Sequence, residues 1–345
     1  MVTDFAALWL NKRFPLRISR GTITGGTNLF VSVSDGGCTG WGEMAPGSNE
    51  GAVSADDGRA QLQAFLREHG DPSAIHDTWM AARRAGVGAC ALAALDMALW
   101  DLRARQAGMP LYRLLGLPRR GVVTSITIGI NPPDVVRDRV ALAIAGGARA
   151  LKIKLGNPDG VDADQASYTA VCEAAAGHAV AIRVDANGGW SLPDAQRMLV
   201  WLAERGAEYV EQPLVEGAED QLPTLFRNRP LPIFVDESCR FSSDVPALAH
   251  CVDGVNLKLM KCGGISEALR IVATARACGL KTMIGCMGES SIAIAAGASL
   301  AALFDFIDLD SHLNLDPDPA DGAPFEDGVV LPADRAGHGA TLNHA

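Results

Sequence analysis

AIRVDANGGWSLPDAQRMLVWLAERGAEYVEQPL, residues 181–214, decides the fold. It opens on a short apolar run ending in Asp185 and turns at Asn187, Gly188 and Gly189. A helical pattern follows, and a second apolar run ends in Glu211. Strand, helix and strand in that order make a right-handed βαβ unit. The rhythm continues on both sides. Short strands are expected at TSITIGI, ALKIKLG, VAIRVDAN, AEYVEQP, PIFVDES, GVNLKLMK, KTMIG and LFDFIDLD. Helical patterns such as SYTAVCEAAAG and ISEALRIVATARACG lie between them. Eight strands and seven intervening helices predict an α/β fold: a modified TIM barrel, (β/α)7β, whose last helix is missing or displaced. A doubly wound open sheet is the competing fold. The strand count and the polar residues at nearly every strand end favour the barrel.

The chain before this rhythm differs. Residues 1 to about 50 alternate as strands do, in TNLFVSVSD and GCTGWGEM, and helical patterns follow near 54–69 and 87–107. The expected organisation is an α+β domain at 1–118, the barrel at 119–310, and a tail at 311–345 that returns toward the first domain. With 345 residues and 48% hydrophobic content, the chain can build a large core. Its formal charge of -10, without a basic patch, argues against nucleic acid as a partner. Eight scattered cysteines form no CxxC pair, and the histidines complete no zinc spacing. The first residues lack the basic start and cleavage site of a signal peptide, and no apolar run is long enough to span a membrane. A reduced cytoplasmic protein is expected.

Asp185, Glu211 and Asp236 end the runs RVD, YVE and FVD, at intervals of 26 and 25 residues. Each interval is one βα unit, so the three carboxylates converge at one end of the barrel. Converging negative charges repel and resist desolvation, and a hard divalent cation resolves the conflict. Oxygen donors without imidazole or thiolate favour Mg2+, with Mn2+ a substitute. Asn187 can bond within its loop or to a ligand. Glu237 follows Asp236 and is expected to point the other way if the strand persists, where it could orient a neighbouring lysine.

In LKIKL, Lys152 and Lys154 share one side of a strand. Two lysines pointing into a barrel need anionic partners. Lys154, nearer the mouth, is the better acid/base, and Lys152 supports it. Lys258 lies on the sixth strand, opposite the second, with the three acids on the arc between. Lys261, at odd spacing and past the strand end, is expected to face solvent or to support the site. A substrate carboxylate held at the metal would have one amine on each side. That suits α-proton abstraction with reprotonation on the opposite face, although β-elimination or cycloisomerisation would use the same groups.

Together LKIKLG, VDAN, YVEQPL, FVDES, NLKLMKCGG and IGCMGES resemble the enolase superfamily, muconate lactonizing enzyme subgroup. Within it, the chain most resembles dipeptide epimerases of the L-Ala-D/L-Glu type. The resemblance implies a capping domain over the barrel, Mg2+ at Asp185, Glu211 and Asp236, opposed acid/bases at Lys154 and Lys258, and a homo-oligomer. It also implies that Asp308 and Asp310, in FIDLD, receive a dipeptide's free ammonium group, and that Arg20 meets a glutamate side chain. Glu289 and Ser290 would line the pocket. N-acylamino-acid racemases and o-succinylbenzoate synthases share the lysine–metal set but need no ammonium clamp, and muconate cycloisomerase chemistry is disfavoured for the same reason. A non-enzymatic barrel scaffold would not repay burying these charges.

Overall fold

A computed structural model describes residues 1–343. Three antiparallel strands open the chain, β1 (Val2–Ile18), β2 (Gly21–Asp35) and β3 (Cys38–Met44), paired in the order β1-β2-β3. Helix α1 (Ala55–His69) starts at Ser54, whose side chain accepts the Asp57 N–H; Asp56 and Asp57 complement the dipole of the first turn. Helix α2 (Ile75–Arg84) has no counterpart among the patterns read from the sequence. Helix α3 (Ala89–Gln106) is buried on nearly every side. It lies directly on β3, and the glycines of GCTGWGEM permit this: a Cβ at Gly42 would stand 1.9 Å from the Ala94 carbonyl oxygen.

The second sheet holds eight parallel strands in sequence order. They are β4 (Ile126–Ile128), β5 (Ala150–Lys154), β6 (Ala181–Asp185), β7 (Ala207–Glu211), β8 (Ile233–Val235), β9 (Gly254–Lys258), β10 (Lys281–Gly285) and β11 (Phe306–Asp308). A parallel bridge between Thr124 and Ile307, with Ser125 N donating to Ile307 O at 3.0 Å, brings the last strand back to the first. The competing open sheet is thereby excluded. Helices follow β4 through β10, and β11 is followed only by the short 3-10 turn Ser311–Asn314 and small strand pairs among the described residues.

The segment beyond β11 contacts the first domain. Fully buried Asp101 on α3 accepts His338 N at 2.7 Å, and Arg105 reaches the Ala340 carbonyl at 2.8 Å. No helix among the described residues is long and apolar enough to cross a membrane, and all eight cysteines are free.

Candidate active site

Strands β5 to β9 are largely buried on both faces, and period-two alternation sends every second side chain into the barrel. On β5, Lys152 and Lys154 point inward while Leu151, Ile153 and Leu155 pack outward; all five are buried. Asp185 and Glu211 are the last residues of β6 and β7. Asp236 follows β8 directly, its N–H held by Gln212 Oε1 at 2.8 Å. One oxygen from each of these three carboxylates lies within 4.8 Å of the others, and none of the residues is solvent-accessible.

Four lysines face this ring. Lys154 Nζ donates to Asp185 Oδ2 at 2.6 Å, and Lys258 Nζ to Asp236 Oδ2 at 2.7 Å. Lys152, 1% exposed, sits below the ring, 2.8 Å from Glu211 Oε2 and 2.5 Å from Asp308 Oδ2. Burial opposes the charge on Lys258, yet Asp236 and then Glu237 hold its pKa above the ordinary lysine value. Burial would raise Asp185, but Lys154 and Lys152 overcome it and leave that carboxyl low. Glu211 behaves oppositely: burial and the Asp185 charge outweigh Lys152 and push it up to about 7.

The donor set fits magnesium. Glu211 Oε2 and Asp236 Oδ1 are buried acceptors that receive no well-directed hydrogen bond, even though lysine ammonium groups stand nearby. Three converging carboxylates, two of them with an oxygen free of directed hydrogen bonds, suit a hard divalent ion that completes its octahedron with water or substrate. Asp185, Glu211 and Asp236 would hold it.

Of the two alternatives for Lys261, facing solvent or supporting the site, the structure shows the second; it is 3% exposed. The chain after Lys258 enters a short helix, Leu259–Cys262, that folds this side chain back inside. There it donates to the carbonyls of Asp236, Cys239 and Asn256 and pairs with Asp236 Oδ1 at 2.5 Å. Glu237 does not point away from the mouth, because β8 ends at Val235 and strand alternation no longer applies. Its Oε1 accepts Arg20 at 2.6 Å and lies 3.5 Å from Asn187 Nδ2.

Asn187 sits in left-handed backbone (φ 44), buried, its N–H on Asp185 Oδ1 at 2.8 Å. Its carbonyl accepts Arg20 at 2.8 Å and Ser19 Oγ at 2.9 Å, joining the β1–β2 turn to the barrel mouth. Asp310 accepts Thr127 N at 2.6 Å, and burial beside Asp308 pushes it up to about 6. Glu289 is buried and accepts Met287 N at 2.7 Å; burial, with the Glu43 charge adding to it, raises it to about 8. The Ser290 hydroxyl donates to Glu43, 2.6 Å away.

Sequence reasoning missed Asn256, whose amide donates to Glu211 Oε1 at 2.7 Å. Its signal was present: it precedes Lys258 by two residues on the same strand. Asn28 and Glu43, which reach the barrel from β2 and β3, carried no comparable signal.

Above the ring lies a cavity of about 500 Å³ between the domains. Lys154, Asn187 and Lys258 form its floor, and Leu16, Ile18, Ile23, Val53 and Leu315 give it apolar walls. A larger surface groove, about 920 Å³, runs between β1 and α1 and contains none of the ring residues.

Residues 2–116 match the family model for the mandelate racemase / muconate lactonizing enzyme N-terminal domain, and residues 135–345 match the enolase C-terminal domain-like model. The chain is 68% identical, over the full length of both proteins, to a hydrophobic dipeptide epimerase of Roseobacter litoralis. It superimposes on the dipeptide epimerase of Cytophaga hutchinsonii, complexed with Mg and D-Ala-L-Val, with a TM-score of 0.92 at 27% identity, covering 99% of this chain and 95% of that one. The dipeptide epimerase of Enterococcus faecalis, complexed with Mg and L-Leu-L-Tyr, aligns with a TM-score of 0.91 at 32% identity, over 98% of each chain.

Proposed function

Because the chain belongs to the mandelate racemase / muconate lactonizing enzyme family, with an enolase-like C-terminal domain, we propose that it is a magnesium-dependent dipeptide epimerase acting on hydrophobic dipeptides. One observation carries this reading: three buried carboxylates converge between two opposed lysines on the floor of a cavity with apolar walls. Bound magnesium would supply positive charge to the substrate carboxylate as negative charge grows there, and would favour a neutral amine nearby.

The remaining chemistry belongs to the chain. A neutral amine at Lys154 or Lys258 takes the α-proton as the C–H bond breaks. The ammonium on the other lysine delivers a proton to the opposite face, and the configuration inverts. Lys154 is ion-paired with Asp185 and Lys258 with Asp236, so either can stand as the acid. Lys152 keeps positive charge beneath the ring, and Asp308 and Asp310 offer carboxylates to the ammonium group of the dipeptide. Asn187, Glu237 and Lys261 keep the ring and its surroundings in place.

Arg20 is already engaged by Glu237 and the Asn187 carbonyl. We therefore assign it to closing the β1–β2 turn over the mouth rather than to receiving a glutamate side chain. The apolar walls, and the hydrophobic dipeptides named for relatives, support an apolar second residue. The reading extends to a capping domain at 1–118, a barrel at 119–310 and a tail at 311–345. It also takes the protein as cytoplasmic, which free cysteines suit, and as a homo-oligomer, which the family resemblance supports.

The test is hydrogen–deuterium exchange at the α-carbon in Lys154→Ala and Lys258→Ala, using L-Ala-L-Leu and L-Ala-D-Leu in D2O. Each variant is expected to lose net epimerisation and to keep exchange of one diastereomer, the opposite one in each variant. Undiminished exchange of both diastereomers in either variant would refute the assignment.

A further inference from the structure

The helix Ser291–Ala298 of the seventh βα unit is capped by Ser290, whose hydroxyl accepts Ile292 N at 3.2 Å, and this cap is itself held from the other domain. Glu43, at the end of β3 and fully buried, accepts Ser290 N at 2.9 Å, Ser290 Oγ at 2.6 Å and Ala293 N at 3.2 Å. Its Oε1 also accepts Asn28 Nδ2 at 2.7 Å, and that same nitrogen donates to the Gly288 carbonyl, again at 2.7 Å. A carboxylate and an amide from the small domain thus grip the loop after β10 at two points, Gly288 and Ser290.

This loop is also a wall of the substrate cavity, through Cys286, Met287 and Gly288. It departs from Gly285, the register partner of Lys258 on the adjacent strand. Contact there is tight: a Cβ at Gly285 would lie 3.2 Å from Lys258 Cε and 2.9 Å from the Asn256 amide nitrogen. The backbone at the start of the loop is therefore the surface against which the Lys258 stem rests. Lys154 stands across the ring on β5, bonded to Asp185.

We propose that Glu43 and Asn28 are positioning residues for Lys258: by holding the 286–290 loop, the small domain sets the aim of one acid/base and leaves the other untouched. This rests on the reading of Lys258 as one of the two acid/bases. Glu43 is the better probe, because Asn28 itself lines the cavity. In Glu43→Gln, one carboxylate oxygen becomes an NH2 facing N–H and O–H donors, and the grip on the loop is lost.

The experiment measures α-proton exchange of the two diastereomers in Glu43→Gln, with Lys258→Ala run beside it to identify the exchange that depends on Lys258. The expected result is a slowing of that exchange by about 10- to 100-fold, the scale of a small misplacement of a reacting group, with the other exchange within about twofold of wild type. Equal slowing of both exchanges, or no change in either, would overturn the proposal. Should Glu43→Gln not fold, Ser290→Ala removes the 2.6 Å hydroxyl bond to Glu43 together with the cap bond that the same hydroxyl accepts from Ile292 N at 3.2 Å. It is expected to give the same one-sided bias at smaller amplitude, and a symmetric or absent effect there overturns the proposal equally. Loss of neither exchange in Lys258→Ala would instead overturn the reading of Lys258, so the two failures are distinguishable.

Discussion

The two ends of the barrel interior are built on the same strands and do opposite things. At the bottom, Tyr209, Phe234, Met283 and Phe306 form a dry plug, with ring centroids 5.0 Å apart for Tyr209–Phe234 and 5.3 Å for Phe234–Phe306. Two residues further along the same four strands stand Glu211, Asp236, Gly285 and Asp308. Alternation makes both layers point inward and says nothing of their chemistry. What separates them is what each can reach. In the lower layer the cation Arg183 is pinned by Glu208 at 2.8 Å, Ser125 Oγ at 3.0 Å and the carbonyls of Val123 and Ile307 at 3.2 and 3.3 Å, and lies over the Phe306 ring. The upper layer meets loops, lysines, the second domain and a cavity, which together can satisfy buried charge. Stability and function therefore occupy successive layers of one barrel.

Substitutions across these layers should separate the two roles. The largest effect is expected from Asp236→Asn, which weakens the metal cradle and leaves Lys258 and Lys261 with one less negative charge. Epimerase turnover should fall by about 10³-fold or more, as followed by polarimetry with added Mg2+. Activity within tenfold of wild type would remove the distinction between the layers. Phe234→Ala should do the reverse. It should cost about 3–5 kcal/mol in chemical unfolding, yet leave kcat/KM within about threefold below the unfolding transition. A large catalytic loss with little change in stability would show that the plug takes part in the chemistry.

The smallest effect concerns pH. Glu289 is raised from 4.5 to about 8 in the folded chain, first by burial. Its contribution to stability is fully present below the unfolded value and is lost as pH rises through the folded one. Between pH 5 and pH 9, the thermal midpoint of wild type should therefore fall relative to Glu289→Gln, which stays neutral. Parallel midpoints across that range would show that Glu289 does not carry the raised affinity for its proton.

Legibility divides along the same line. Lys152, Lys154, Asp185, Glu211, Asp236 and Lys258 could be placed together from sequence because strand alternation and βα spacing alone set their directions. For Lys261 and Glu237 the sequence left the direction open, since each lies one or a few residues past a strand end, where alternation stops and a short helix or turn decides where the side chain goes. Helix α2 went unread, and no side-chain hydrogen bond caps its N-terminus. Asn28 and Glu43 were beyond reach for a different reason. Their partners, Gly288 and Ser290, are 260 and 247 residues away in another domain, and no local period encodes such a contact.

The central claim is that Asp185, Glu211 and Asp236 hold one divalent ion between Lys154 and Lys258. Its most direct test is a crystal soaked in Mn2+, with diffraction data collected for anomalous scattering. The account predicts a single strong peak bonded to one oxygen from each of the three carboxylates, at about 2.0–2.3 Å, displaced by excess Mg2+. A peak elsewhere, or none at this position in a crystal that turns over dipeptide, would contradict it.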